Sequence, residues 1–162
     1  MKRRLQHNPL WAVLILALSV IGTGPHAAAW AQDATTVTVE PEGNQLLFAD
    51  TEFTVAPGQE VTIVFNNTAT SAAMQHNVVV LDTMDDSVIN RVGQAAIQAG
   101  PDKEYVPDDP SVLAYTPIAK PGETVEVTFT APEEPGKYRY LCTFPGHYVT
   151  MQGTMIVEED TP

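Results

Sequence analysis

The stretch YRYLCTFPGHYVTMQGT, residues 138–154, decides how this chain is to be understood. Tyr138 and Tyr140 alternate with polar neighbours and put two aromatic rings on one face of a strand that ends at Cys142. Pro145 and Gly146 then turn the chain, and a second strand begins near Gln152. The connection holds Cys142, His147 and Met151, three side chains able to bind a metal, within ten residues. Two strands joined by such a loop imply a sheet protein with three potential metal ligands on one short connection.

The same period of two recurs outward from this segment. Val37 and Val39, then Leu47, then Val61, Ile63 and Phe65, then Val125, Val127 and Phe129 each place apolar side chains on one strand face. Turn signals at Pro41 to Gly43, Pro57-Gly58, Pro121-Gly122 and Pro135-Gly136 separate them at spacings that suggest an antiparallel sheet. The nearly unbroken apolar run from His76 to Leu81 reads as a strand buried on both faces. The expected fold class is all-β, a sandwich of two packed sheets. One segment departs from it: Val88, Val92, Ala95, Ala96 and Ala99 recur at helical spacing over Ser87 to Ala99. Asp85, Asp86 or Ser87 is available as N-cap, and Gly100-Pro101 ends the run, so one short helix is inserted between strands. Residues 102–110, rich in Asp and Pro, read as a loop.

The chain has 162 residues and a formal charge of −12. Lys2, Arg3 and Arg4 precede an apolar run from Leu10 to Gly22, and Ala29 and Ala31 supply the small residues of a cleavage site. Residues 1–31 thus read as a cleavable signal peptide and residues 32–162 as a single domain. The apolar run is shorter than the ~20 residues a spanning helix needs, although a retained signal would anchor the protein to the membrane. All twenty acidic residues follow position 31, against five Lys and Arg, which leaves the mature domain at −15. A nucleic-acid-binding surface is excluded by that balance. One cysteine in the whole chain excludes an intrachain disulfide.

After residue 31 there are two histidines, His76 and His147. The fold must bring His76 alongside the loop if it is to join the other donors. Thiolate and thioether are soft donors suited to Cu(I), and imidazole suits both copper oxidation states. Two histidines and a thiolate with a weak axial methionine make a blue-copper electron-transfer centre. Zinc would gain little from Met151. No position is left open for water or substrate, so the expected role is that of a carrier and not an enzyme.

The loop CTFPGHYVTM, residues 142–151, together with MQHNVVVL, residues 74–81, resembles the cupredoxin family, and within it the azurins and auracyanins. Residues 115–123 and 152–154 extend the similarity over essentially the whole domain. The resemblance implies a Greek-key sandwich of about eight strands holding one type 1 copper ion. It implies His76, Cys142 and His147 as equatorial ligands and Met151 as the axial one. It also implies that Asn77 hydrogen-bonds across to Thr143, while Phe144 and Pro145 stiffen and dry the site. Gln75 before His76 is as in the auracyanins, and the four-residue step from His147 to Met151 is as in the azurins.

The expected function is an exported blue copper electron carrier cycling Cu(I) and Cu(II), monomeric, periplasmic or otherwise extracytoplasmic. Its partners would be redox proteins, a cytochrome or a membrane electron-transfer complex, with the membrane met only through them. The alternative is an extracytoplasmic copper-binding protein for storage, delivery or resistance. Such proteins favour open clusters of methionine and histidine, which this chain lacks. No formal charge occurs from Cys142 to Gln152, and Pro145, Gly146, Tyr148 and Val149 surround His147 as an expected apolar rim.

Overall fold

The chain forms eight strands in two facing sheets, most of the period-two segments among them. The computed structural model describes residues 33–159, so the signal-peptide reading lies outside the described residues. In chain order the strands are β1 (Thr35–Val39), β2 (Glu52–Val55), β3 (Glu60–Asn66), β4 (Val79–Leu81), β5 (Val112–Tyr115), β6 (Thr124–Thr130), β7 (Gly136–Leu141) and β8 (Gln152–Val157). A three-stranded sheet has the order β1-β3-β6, and a five-stranded sheet the order β2-β8-β7-β4-β5.

Alternation decides which side chains meet between the sheets. Val61, Ile63 and Phe65 of β3 face Tyr138 and Tyr140 of β7 and Met155 and Val157 of β8 in one continuous core. Each large side chain so buried contributes roughly 1.5–3 kcal/mol of transfer free energy. Tyr140 is fully buried, as its inward position requires, and its hydroxyl donates to the Asp50 carbonyl at 2.6 Å. Without that acceptor the buried O–H would cost about 1–3 kcal/mol.

The inserted helix is α1 (Asp86–Ala99), with Asp85 as its N-cap accepting from the Ser87 N–H at 2.7 Å. Gly100 ends it with φ +73°, a left-handed conformation suited to glycine. Ile89 and Val92 bury against Val79, Leu81 and Leu141 on the outer face of the five-stranded sheet. This second apolar layer explains why β4 is buried on both faces and carries no polar alternation.

Several expectations are corrected. The sheets are mixed: β1 pairs with β3, and β2 with β8, in parallel. A period of two records the faces of a strand and not its direction, and here the chain crosses from β1 to the other sheet as β2 before returning as β3. Leu47 lies in no strand and is partly exposed, while its neighbour Phe48 bridges to Pro41 and fills the core. Only Val79–Leu81 of the run from His76 is regular strand. Strands β2 and β5, four residues each, were too short to show in the pattern. Ile89, absent from the expected stripe, is one of the residues that seats the helix. No helix among the described residues is long and apolar enough to cross a membrane.

Candidate metal centre

Three separate pieces of backbone deliver the donor side chains. Cys142 directly follows β7, and its N–H donates to the Met151 carbonyl at 3.0 Å, so the two ends of the loop are stapled together. Gly146, at φ +85°, makes the left-handed bend that a β-carbon would oppose. The loop then closes through the turn His147–Val149, with His147 N–H on the Phe144 carbonyl and Met151 N–H on the His147 carbonyl, both at 2.9 Å. His76 comes from outside the loop. It is held in register by an isolated bridge to Ala119, through reciprocal backbone bonds of 3.1 and 2.8 Å.

The result is a compact donor set. Cys142 Sγ lies 3.7 Å from His76 Nδ1 and 3.6 Å from His147 Nδ1, and the two nitrogens are 3.1 Å apart. Donors bound to one ion at ordinary lengths of about 2.0–2.3 Å, with angles of about 100–120° between them, stand roughly 3.1–3.8 Å from one another, so the spacing fits a single ion among the three. Cys142 and His76 are fully buried, whereas His147 keeps 7 % of its surface exposed. Among the described residues no carboxylate joins the group. Met151, also fully buried, is packed in the same apolar cluster as Cys142.

Burial controls the charge of each donor. Desolvation, then the neighbouring His147, lowers His76 to about 4, and desolvation lowers His147 as well. Both imidazoles are therefore neutral at pH 7, with lone pairs available to a cation. Desolvation pushes the Cys142 thiol up to about 12, opposed by the N–H groups of Asn77 and Phe144 that face the sulfur. A soft cation must displace the thiol proton, and uptake of metal is accordingly coupled to proton release.

The surroundings fix these groups. Asn77 Oδ1 accepts from the Thr143 N–H at 2.8 Å, and Asn77 Nδ2 donates to Thr143 Oγ1 at 2.9 Å, joining the His76 strand to the loop as expected. The same Nδ2 donates to the Glu104 carbonyl at 3.0 Å. Glu104 and Tyr105 both adopt left-handed backbone, with φ near +55°, and the Glu104 carboxylate accepts from the Ile118 N–H at 2.8 Å. The Tyr105 ring meets Phe144 edge-on at 5.2 Å, and Phe144 lies 4.9 Å from the His147 ring. Glu104 and Tyr105 were missed in the sequence, because neither is a residue type that signals positive φ.

The apolar rim is only partly as expected. Val149 is 65 % exposed beside His147, but Tyr148 is half-buried against the helix-side cluster. Leu47, 38 % exposed, belongs to a segment tied to the ligand loop by a bond from Thr150 Oγ1 to the Leu46 carbonyl. A cleft of about 500 Å³ between Asp102, Asp108 and Tyr115 contains none of the donors. The three donors lie buried together and not in this cleft.

Comparison with known proteins agrees with this geometry. Residues 35–158 match the family described as copper binding proteins of the plastocyanin/azurin family. The chain is 45 % identical over 123 residues to auracyanin-A of Chloroflexus aurantiacus, covering 75 % of this chain and 74 % of that one. It is 36 % identical over 124 residues to an azurin of Alcaligenes faecalis, covering 72 % and 94 %. Among solved structures, auracyanin A from Chloroflexus aurantiacus, described as a "blue" copper protein, superposes with a TM-score of 0.72 at 42 % identity, covering 78 % of this chain and all of that one.

Proposed function

The chain belongs to the plastocyanin/azurin family of copper binding proteins, and from that premise we propose that it is an exported one-electron carrier, with His76, Cys142, His147 and Met151 as its copper ligands. The convergence of two neutral imidazoles and a thiol within 3.1 to 3.7 Å carries the reading. Bound copper supplies the Cu(I)/Cu(II) couple, to which this mixture of soft and intermediate donors is acceptable in both states.

The residues around the site favour carriage over catalysis. Asn77, Thr143 and the bond from Cys142 to Met151 hold the donor-bearing segments through bonds that involve no metal, so little of the chain has to move when the charge at the site changes. Full burial of Cys142, His76 and Met151 keeps water and substrates out. His147 is the donor nearest solvent, and Val149 with Leu47 offers an uncharged contact beside it. A redox protein docking there would approach the site across one imidazole. Twenty acids against five cations after residue 31 would steer a basic partner toward such a contact and make its approach salt-dependent. Lys2, Arg3 and Arg4 with the apolar run behind them support export.

The test is reversible redox cycling. One equivalent of Cu(II) added to the copper-free protein should give an intense visible band that a one-electron reductant bleaches and an oxidant restores over many cycles, with the metal retained against a chelator. Loss of copper on reduction would overturn the carrier reading in favour of storage or delivery.

A further inference from the structure

The inserted helix touches the ligand loop at one place where the sequence departs from what a helix prefers. Gly93 lies in the interior of α1 and is buried, although glycine is among the poorest helix formers. Its φ is not positive, so conformational freedom does not account for it. The reason is contact: a β-carbon at Gly93 would overlap Cγ, Cδ1 and Cδ2 of Tyr148. Those atoms are the root of the ring, which cannot swing aside as the tip of a long side chain can.

Tyr148 stands between His147 and Met151 and is the point at which the loop leans on the helix. Its side chain packs against the apolar cluster that contains Leu81, Ile89, Val92 and Leu141. Its carbonyl accepts from Gln152 Nε2 at 2.6 Å, which anchors the backbone of the same residue from the side of β8. The turn His147–Val149 is only three residues long, so any displacement of Tyr148 passes directly to His147 and to the step leading to Met151.

We propose that Gly93 and Tyr148 form a positioning pair for the copper site, the helix leaving a glycine-sized gap that seats the Tyr148 ring and thereby holds His147 and Met151 in place. The helix thus sets the properties of the metal centre without supplying a ligand. This inference rests on the copper-carrier reading above, since it assigns the turn its importance.

The experiment compares wild type, Gly93→Ala, Tyr148→Ala and the double variant, each with and without copper. In the copper-loaded protein, Gly93→Ala should shift the reduction potential and the relative strengths of the visible bands, and copper should leave for a chelator about tenfold faster or more. In the copper-free protein, Gly93→Ala should lower the unfolding midpoint when Tyr148 is present and raise it in the Tyr148→Ala background, because alanine at 148 keeps none of the overlapping ring atoms and alanine at 93 is then the better helix former. That reversal of sign is not expected of a merely tolerated glycine. Should Gly93→Ala fail to fold, Tyr148→Ala alone, which empties the gap without a clash, must still shift the potential and hasten copper loss. Unchanged potential, bands and copper release in the variants, or a Gly93→Ala effect of the same sign in both backgrounds, would overturn the proposal. Wild-type protein lacking any visible band with copper would instead overturn the carrier reading itself, and the positioning pair would fall with it.

Discussion

Replacing Asn77 by alanine tests how far the fold, rather than the metal, holds the donors in place. The substitution removes the acceptor of the Thr143 N–H at 2.8 Å, the partner of the Thr143 hydroxyl at 2.9 Å and the donor to the Glu104 carbonyl at 3.0 Å. Asn77 and Thr143 are fully buried, so water cannot replace what is lost without entering the site. An orphaned buried N–H costs about 1–3 kcal/mol, and each further lost bond adds about 0.5–1.5. The expected destabilisation is therefore about 3 kcal/mol, or roughly 10 °C in the unfolding midpoint for a domain of this size. Thr143→Val deletes only the hydroxyl and leaves the stronger N–H bond intact, so it should cost about 1 kcal/mol. Urea unfolding of the copper-free proteins measures both, and chelator-driven copper loss, measured on the loaded proteins, should be faster for Asn77→Ala by about tenfold. Equal costs for the two substitutions, or an Asn77→Ala variant within about 0.5 kcal/mol of wild type, would refute the clamp.

Other perturbations address the donors one by one. Cys142→Ser should abolish the visible charge-transfer band while circular dichroism stays native, since a hydroxyl is a hard and weak donor; a serine variant that remained coloured would remove Cys142 from the site. Met151→Gln should lower the reduction potential and Met151→Leu raise it, because an amide oxygen favours Cu(II) more than a thioether does; voltammetry showing no change in either would reduce Met151 to packing. Copper-free protein should lose stability in acid. His76 has a folded value of about 4, below its unfolded value near 6.5. The unfolded chain therefore binds more protons between those values, and stability present above about pH 6.5 falls by up to about 3 kcal/mol as pH drops to 4. A His76→Gln variant should show a flatter slope in urea midpoints across that window. Val149→Glu should slow electron exchange with a redox partner at least about tenfold while leaving the visible band unchanged, and exchange at the wild-type rate would place docking elsewhere.

Much of the centre was legible because three of its four proposed ligands lie within ten residues, on a turn marked by Pro145 and Gly146. His76 was different. Nothing in its own neighbourhood points to a metal; it stood out as the one other histidine after residue 31, and the resemblance of residues 74–81 to a family gave it the role of a ligand. Strand faces could be read for Val61, Ile63 and Phe65, since alternation records burial directly. Strand directions could not, because a parallel partner such as β3 for β1 depends on where the intervening chain goes. Tyr148 was misread as rim because apolarity does not distinguish a docking surface from a contact with the next element. Glu104 and Tyr105 were invisible for a stricter reason: their left-handed backbone is imposed by bonds to Asn77 and Ile118 that exist only after folding.

Those bonds show how the strain is supported. Two successive left-handed non-glycine residues cost of order 1–3 kcal/mol each, and such a turn persists only where its surroundings over-determine it. Here the Glu104 N–H is held by the Pro101 carbonyl, its own carbonyl by Asn77, and its carboxylate by the Ile118 N–H, while Tyr105 rests on Phe144. Ile118 adjoins Ala119, the bridge partner of His76, and Phe144 adjoins Thr143. The strained turn therefore links the strand bearing one histidine to the loop bearing the thiol and the other. Relaxing it would release Asn77 and loosen both at once, whereas keeping it makes the donor geometry a property of the apolar sandwich and its helix. A site built in this way can hold its shape through a change of charge at its centre, which is what carriage of a single electron demands.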